Sequence, residues 1–185
     1  MRMTKALTLT TTLLAAAALT GCGGDAASGP MAGLGLPKAD DMAGVAKLLN
    51  AHTVCRELES GSAVGKFSEA AKEFNEEVED PAYGIEERGI CKDDEGRPVT
   101  LLLLPDMEKF QTAVKNAEGS GDSKTYLVGQ NFAVIPVNDR TTSALKAAGL
   151  FTMSCNPDHK SQVPSGFKVE EPLVKGCFVT DFFPS

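Results

Sequence analysis

Between Val99 and Cys155 the chain repeats one layout, and that layout limits the folds open to it. "VTLLLLPD" reads as a strand closed by Pro105, after which Asp106 opens a helix with Met107, Phe110, Val114 and Ala117 on one face, ended by Gly119. "TYLVGQNFAVIPV" reads as two strands about a Gly-Gln-Asn turn. Pro136 follows, Asp139 caps a second helix with Ala144, Leu145 and Ala148 inward, and Gly149 ends it. "LFTMSC" is the next strand. The predicted order is β-α-β-β-α-β, with Pro105 to Gly119 and Pro136 to Gly149 as matching modules.

This order is the split β-α-β arrangement of ferredoxin-like folds, so the expected class is α+β. The name describes topology only, since the cysteines form no cluster suited to iron and sulfur. Four consecutive leucines, Leu101 to Leu104, predict a strand covered on both faces. The expectation is that the Met107 to Glu118 and Arg140 to Ala148 helices cover one face and N-terminal helices part of the other. One N-terminal helix is expected from Asp40 or Asp41 to about Glu59, with Val45, Leu48, Leu49, Cys55 and Leu58 near one face. A second is expected from Phe67 to Glu79, with Phe67, Ala70, Ala71, Phe74 and Val78 as its buried stripe. Gly89 to Lys92 would add a strand, joined to Val99 by the turn "DDEGRP".

The first residues carry a different signal. Arg2 and Lys5 precede an uncharged run from Ala6 to Ala18, which is the layout of a secretory signal and short of the ~20 apolar residues a membrane span needs. The run closes on Leu19-Thr20-Gly21-Cys22, which resembles the lipobox of bacterial lipoproteins. The resemblance implies cleavage before Cys22, diacylglycerol on its sulfur, and a membrane partner reached through that lipid. The expected organisation is a signal peptide over residues 1–21, a flexible tether over 22–39 and one extracytoplasmic domain over 40–185. As a Gly-rich coil, Gly23 to Lys38 has a typical reach of ~20–24 Å.

Removal of residues 1–21 leaves 164 of the 185 residues, enough for one domain with a real core. It also removes two of 18 cations against 25 acids, taking the formal charge from −7 to −9. That acidity argues against a nucleic-acid partner, whose phosphates need neutralising cations. Beyond Cys22 the chain has Cys55, Cys91, Cys155 and Cys177, an even set that reads as two disulfides in an oxidising compartment. Three pairings are possible; the shorter loops favour Cys55 with Cys91 and Cys155 with Cys177.

Candidates for chemistry are few. "GSAVGKF", Gly61 to Phe67, has three residues between its glycines and Phe after the lysine, so it is a linker and not a phosphate loop. "KDDEG", Lys92 to Gly96, gathers three carboxylates but lacks the alternating ligands of a calcium loop. His52 and His159 are the only histidines. His159 follows the turn "NPD" and leaves a triad with Ser154 or Ser165 open, without a nucleophile-elbow sequence to support it. Eight acids from Glu69 to Glu87 against Lys72 give a local net of −7, either a solvated helix face or a docking face for a cationic protein partner at Glu69 to Glu79. "CFVTDFFPS" reads as a final core strand. No cofactor, metal or catalytic residue is indicated. The expectation is a lipid-anchored binding or interaction module of the envelope, with an envelope hydrolase and an inhibitor or immunity-type protein as the alternatives.

Overall fold

The structure, a computed structural model, describes residues 31–61, 80–118, 126–136, 138–171 and 173–183. Cys22, the signal segment and the expected Phe67 to Glu79 helix lie outside the described residues, as does "GSAVGKF" beyond Gly61. Four helices and eight strands are present among them: α1 Met42–Asn50, β1 Arg56–Gly61, β2 Glu87–Lys92, β3 Pro98–Leu103, α2 Met107–Glu118, β4 Tyr126–Val128 and β5 Phe132–Ile135, then α3 Asp139–Ala147, β6 Phe151–Ser154, α4 Pro157–Ser161, β7 Val169–Glu170 and β8 Phe178–Thr180. The class is α+β. The strands form one antiparallel sheet in the order β1-β2-β3-β5-β4-β6-β8-β7.

Both split β-α-β units are there, but their arrangement differs from the ferredoxin-like one. β4 lies two places from β3 with β5 between, and β6 lies two places from β5 with β4 between. The last strand therefore joins beside β4, where a ferredoxin-like sheet would bring it back beside β3. That edge is taken by β2, held in a hairpin with β3 from Glu87 opposite Leu103 to Lys92 opposite Pro98.

A second correction follows from the same order. The two crossovers advance in the same direction along the sheet but start from antiparallel strands, so right-handed connections put their helices on opposite faces. Leu102, Leu104, Met107, Phe110, Val114, Ala133, Met153 and Val179 pack together on the α2 side. Val45, Leu49, Val99, Leu101, Leu103, Leu127, Val134 and Leu145 pack on the other, under α1 and α3. The leucine run is buried on both sides as its continuity predicts, Leu101 and Leu103 facing one layer and Leu102 and Leu104 the other.

Helix ends follow local chemistry. Asp41 caps α1, its Oδ1 accepting from Gly44 N at 2.7 Å, and Asp106 Oδ1 accepts from Lys109 N at 2.9 Å. At α3 the cap is Asn138, one residue before the expected Asp139, with Oδ1 accepting from Thr141 N at 2.8 Å. Gly149 ends α3 at φ +88°, and Leu150 N bonds back to Leu145 O, the six-to-one bond of a Schellman end.

The first helix stops nine residues short of the expected Glu59. The Asn50 carboxamide clasps the backbone of Cys55, donating to its carbonyl at 2.7 Å and accepting from its N–H at 2.9 Å. That closes the loop, and "RELESG" becomes β1 on the edge of β2. Arg, Glu and Leu favour helices by intrinsic propensity; here the open edge of β2 and the Cys55–Cys91 bond override a preference worth tenths of a kcal/mol per residue. Exposed Arg56, Glu57 and Glu59 guard the new edge with charge.

Part of the segment expected as a tether, residues 31–39, is packed on the body, and residues 22–30 lie outside the described residues. Met31, Leu36 and Ala39 are buried, so residues 31–39 belong to the folded body. They are strapped to the β4–β5 turn. Pro37 O accepts from Gln130 N at 2.8 Å, and the Asn131 amide bonds both Ala39 N and Ala39 O, at 3.1 and 2.6 Å. A Cβ on Gly129 would meet the Phe132 ring at 2.2 Å and Pro37 O at 2.6 Å, so the strap can lie this close only over glycine.

Candidate functional site

The two favoured disulfides are both formed, Cys55–Cys91 with Cα atoms 5.1 Å apart and Cys155–Cys177 with 3.8 Å. Such bonds persist outside the reducing cytosol and point to a non-cytoplasmic location. Among the described residues no helix is long and apolar enough to cross a membrane. Cys177 and the β8 residues after it are buried, so the C-terminal segment contributes a strand to the core and is no loose tail.

Of the sequence candidates, the structure brings one pair together. β6 ends at Ser154, and Asn156 caps the short helix α4 with its Oδ1 accepting from Asp158 N at 2.9 Å. Pro157 starts that helix, and one turn of it returns His159 over the strand end, placing Nδ1 2.9 Å from Ser154 Oγ. Ser154 Oγ also accepts from Asn156 N at 3.1 Å. Thr152 and Thr180, opposite each other on β6 and β8, line the adjoining recess with Phe178 and Phe182. Thr180 Oγ1 accepts from Phe182 N at 3.1 Å, whereas the buried Thr152 Oγ1 has no hydrogen-bond partner. The recess holds about 20 Å³, room for roughly one water.

This geometry suits an internal hydrogen bond better than hydrolysis. Ser154 is 1% exposed, leaving a nucleophile nowhere to meet an acyl group. The imidazole also meets it through Nδ1, the nitrogen that a triad reserves for its carboxylate. Ser165 is exposed in the loop before Phe167, and His52 is exposed in the turn after α1.

The acidic "KDDEG" stretch is the β2–β3 turn. Asp93 is fully buried there and carries four bonds: from Glu95 N at 2.9 Å, Arg97 N at 2.8 Å, Arg97 Nε at 3.0 Å and Asn138 Nδ2 at 2.9 Å. Burial pushes the Asp93 carboxyl up, but the Arg97 backbone and guanidinium and the Glu95 N–H together outweigh it and hold the group below its ordinary range. Arg140 takes Asp94 at 2.7 Å, and Arg97 takes Glu95 at 3.0 Å. Each carboxylate already has its cation, which is why the turn reads as structure and not as a calcium loop. Among the described residues no group of three His, Cys, Asp or Glu is placed to hold a metal ion. The Glu69 to Glu79 run lies outside the described residues.

Periodicity did hold one signal that composition hides. Gln111 sits at the helical spacing of Met107, Phe110 and Val114, and it is fully buried, its Nε2 4.0 Å from Met31 Sδ and its Oε1 3.3 Å from Val174 N. It joins the N-terminal strap to the 173–177 loop. Asn50 and Asn131, which clasp backbone across loops, have no such signature.

No protein-family model, curated protein or solved structure matches this chain.

Proposed function

We propose that this chain is a lipid-anchored binding module on the extracytoplasmic face of a bacterial membrane. The observation that carries the reading is Leu19-Thr20-Gly21-Cys22, standing after a basic start and an uncharged run. The disulfides support it, because they belong to the oxidising side of a membrane. A binding role is favoured over an envelope hydrolase because the described polar clusters are already engaged: Asp93 in its turn and Ser154 with His159 under a recess too small for a substrate. Two acyl chains on Cys22 would supply the membrane affinity, at ~0.8 kcal/mol per buried CH₂.

The test is the intact mass of the mature protein from its native membrane. A mass that begins at Cys22 and includes a diacylglycerol supports the reading, as does loss of membrane association in Cys22→Ala. An unacylated N-terminus overturns it.

A further inference from the structure

Where β8 joins β6, the recess under His159 is bordered by a buried polar atom that the protein leaves unpaired. Thr152 and Thr180 stand directly opposite each other on these antiparallel strands, so their side chains share one face of the sheet. Both are buried, at 4% and 2% exposure, and both line the recess. The Thr180 hydroxyl is half used, because its Oγ1 accepts from Phe182 N at 3.1 Å and its proton remains to donate. Thr152 Oγ1 is bonded neither to Thr180 nor to any other described residue.

The surroundings suit one small polar guest. Ser154 Oγ accepts from Asn156 N and is bonded to His159 Nδ1, which holds α4 beside the opening. Phe178, Phe182 and Val163 supply apolar walls. Phe182 is fixed by its own N–H on Thr180 and by an edge-to-face contact with Phe167, ring centres 5.1 Å apart. The space of about 20 Å³ exceeds the ~10–15 Å³ that a water requires and leaves no room for the carbon skeleton of an organic ligand. A buried water takes about two to four polar partners, and the two facing hydroxyls supply the first two.

We propose that the recess is a binding site for a single ordered water, which accepts the Thr180 hydroxyl proton and donates to Thr152 Oγ1. Each hydroxyl rotates to suit its partner, so both threonines are satisfied without either approaching the other. The water joins the C-terminal strand to β6 from within, beneath the Phe182 ring. The Ser154–His159 bond is then the cover of a solvent site, and not a nucleophile with its base.

The disulfide-bonded protein is compared with Thr152→Val and Thr152→Ser by magnetic relaxation dispersion of the water oxygen, which counts water molecules held longer than the protein tumbles. Loss of one such water is expected in Thr152→Val, which keeps the shape and removes the hydroxyl, with the count retained in Thr152→Ser. An unchanged count in Thr152→Val overturns the site, and loss in both variants overturns the hydroxyl as the partner of the water. In the unmodified protein, nuclear Overhauser contacts from held water to the Thr152 and Thr180 methyl groups are expected. Their absence at both methyls overturns the proposal even if neither variant folds.

Discussion

Two corners at one end of the sheet are built from the residue types of active sites, and they are finished differently. At the β2–β3 turn, two residues beyond Cys91, a buried carboxylate receives four hydrogen bonds and binds the hairpin to the cap of α3. At the end of β6, beside Cys155, a serine and a histidine satisfy each other while the Thr152 hydroxyl next to them is left without a partner. The comparison shows that density of charge is a poor guide to function. Three adjacent acids are spent on structure because the chain also brings Arg97, Arg140 and Asn138 to them. The quieter corner keeps a buried hydroxyl without a partner in the protein.

Each corner has a disulfide, and loss of Cys55–Cys91, with a separation of 36, should cost about 4 kcal/mol against about 3 kcal/mol for Cys155–Cys177, with a separation of 22, in the loop-entropy account. Paired Cys→Ser variants followed by urea midpoint give both values. A larger loss at the second bond would mean that the anchoring of β8 to β6 outweighs loop length.

Asp93→Ala should cost about 2–3 kcal/mol, because it strands several buried donors at once. Its pH dependence has a definite sign. The folded carboxyl is held below its ordinary value, so its stabilisation is complete above about pH 4 and is lost as the pH falls further. The stability gap between wild type and Asp93→Asn should narrow between pH 5 and pH 3, measured by thermal midpoints; a constant gap would show that the charge contributes nothing beyond its hydrogen bonds.

Ser154→Ala should cost about 1 kcal/mol by removing the partner of His159 and of Asn156 N. The smallest change, and the one that separates the corners most sharply, is Thr152→Val. Its hydroxyl has no partner in the protein, and the bonds of a recess water and the entropy of holding it largely offset each other, so its removal should change stability by less than about 1 kcal/mol, measured by the thermal midpoint. A larger fall would show that the hydroxyl is bonded within the protein in solution.

Much of the local structure was readable. The strands and helices of both modules, the Gly-Gln-Asn hairpin, the Asp41 cap and the Gly149 stop all depend on neighbours within about five residues and are present, although the second helix is capped by Asn138 in place of Asp139 and Gly119 lies outside the described residues. Of the three possible disulfide pairings, the one favoured by its shorter loops is the one formed. The candidate site was less legible. Ser154 and His159 could be named as a pair, but that they answer each other in a closed recess depends on β8 and Phe182 arriving from a distant part of the chain. Asp93 was one of three adjacent acids in the sequence, and its singular burial depends on Arg97 and Asn138 reaching it.

The two strand-Pro-helix modules, the Gly-Gln-Asn hairpin and the cap of α1 were legible in the sequence, because each is written in short-range spacing. The tertiary structure alone decided the order of the strands, and through it the side of the sheet on which each helix lies. That order depends on which edge of β3 is already filled, and the β2 hairpin fills the edge that a ferredoxin-like sheet would give to its last strand. It alone decided that "RELESG" would be a strand and that Met31, Leu36 and Ala39 would be buried, since an open sheet edge and the close approach of Pro37 to the distant Gly129 outweigh preferences worth tenths of a kcal/mol per residue.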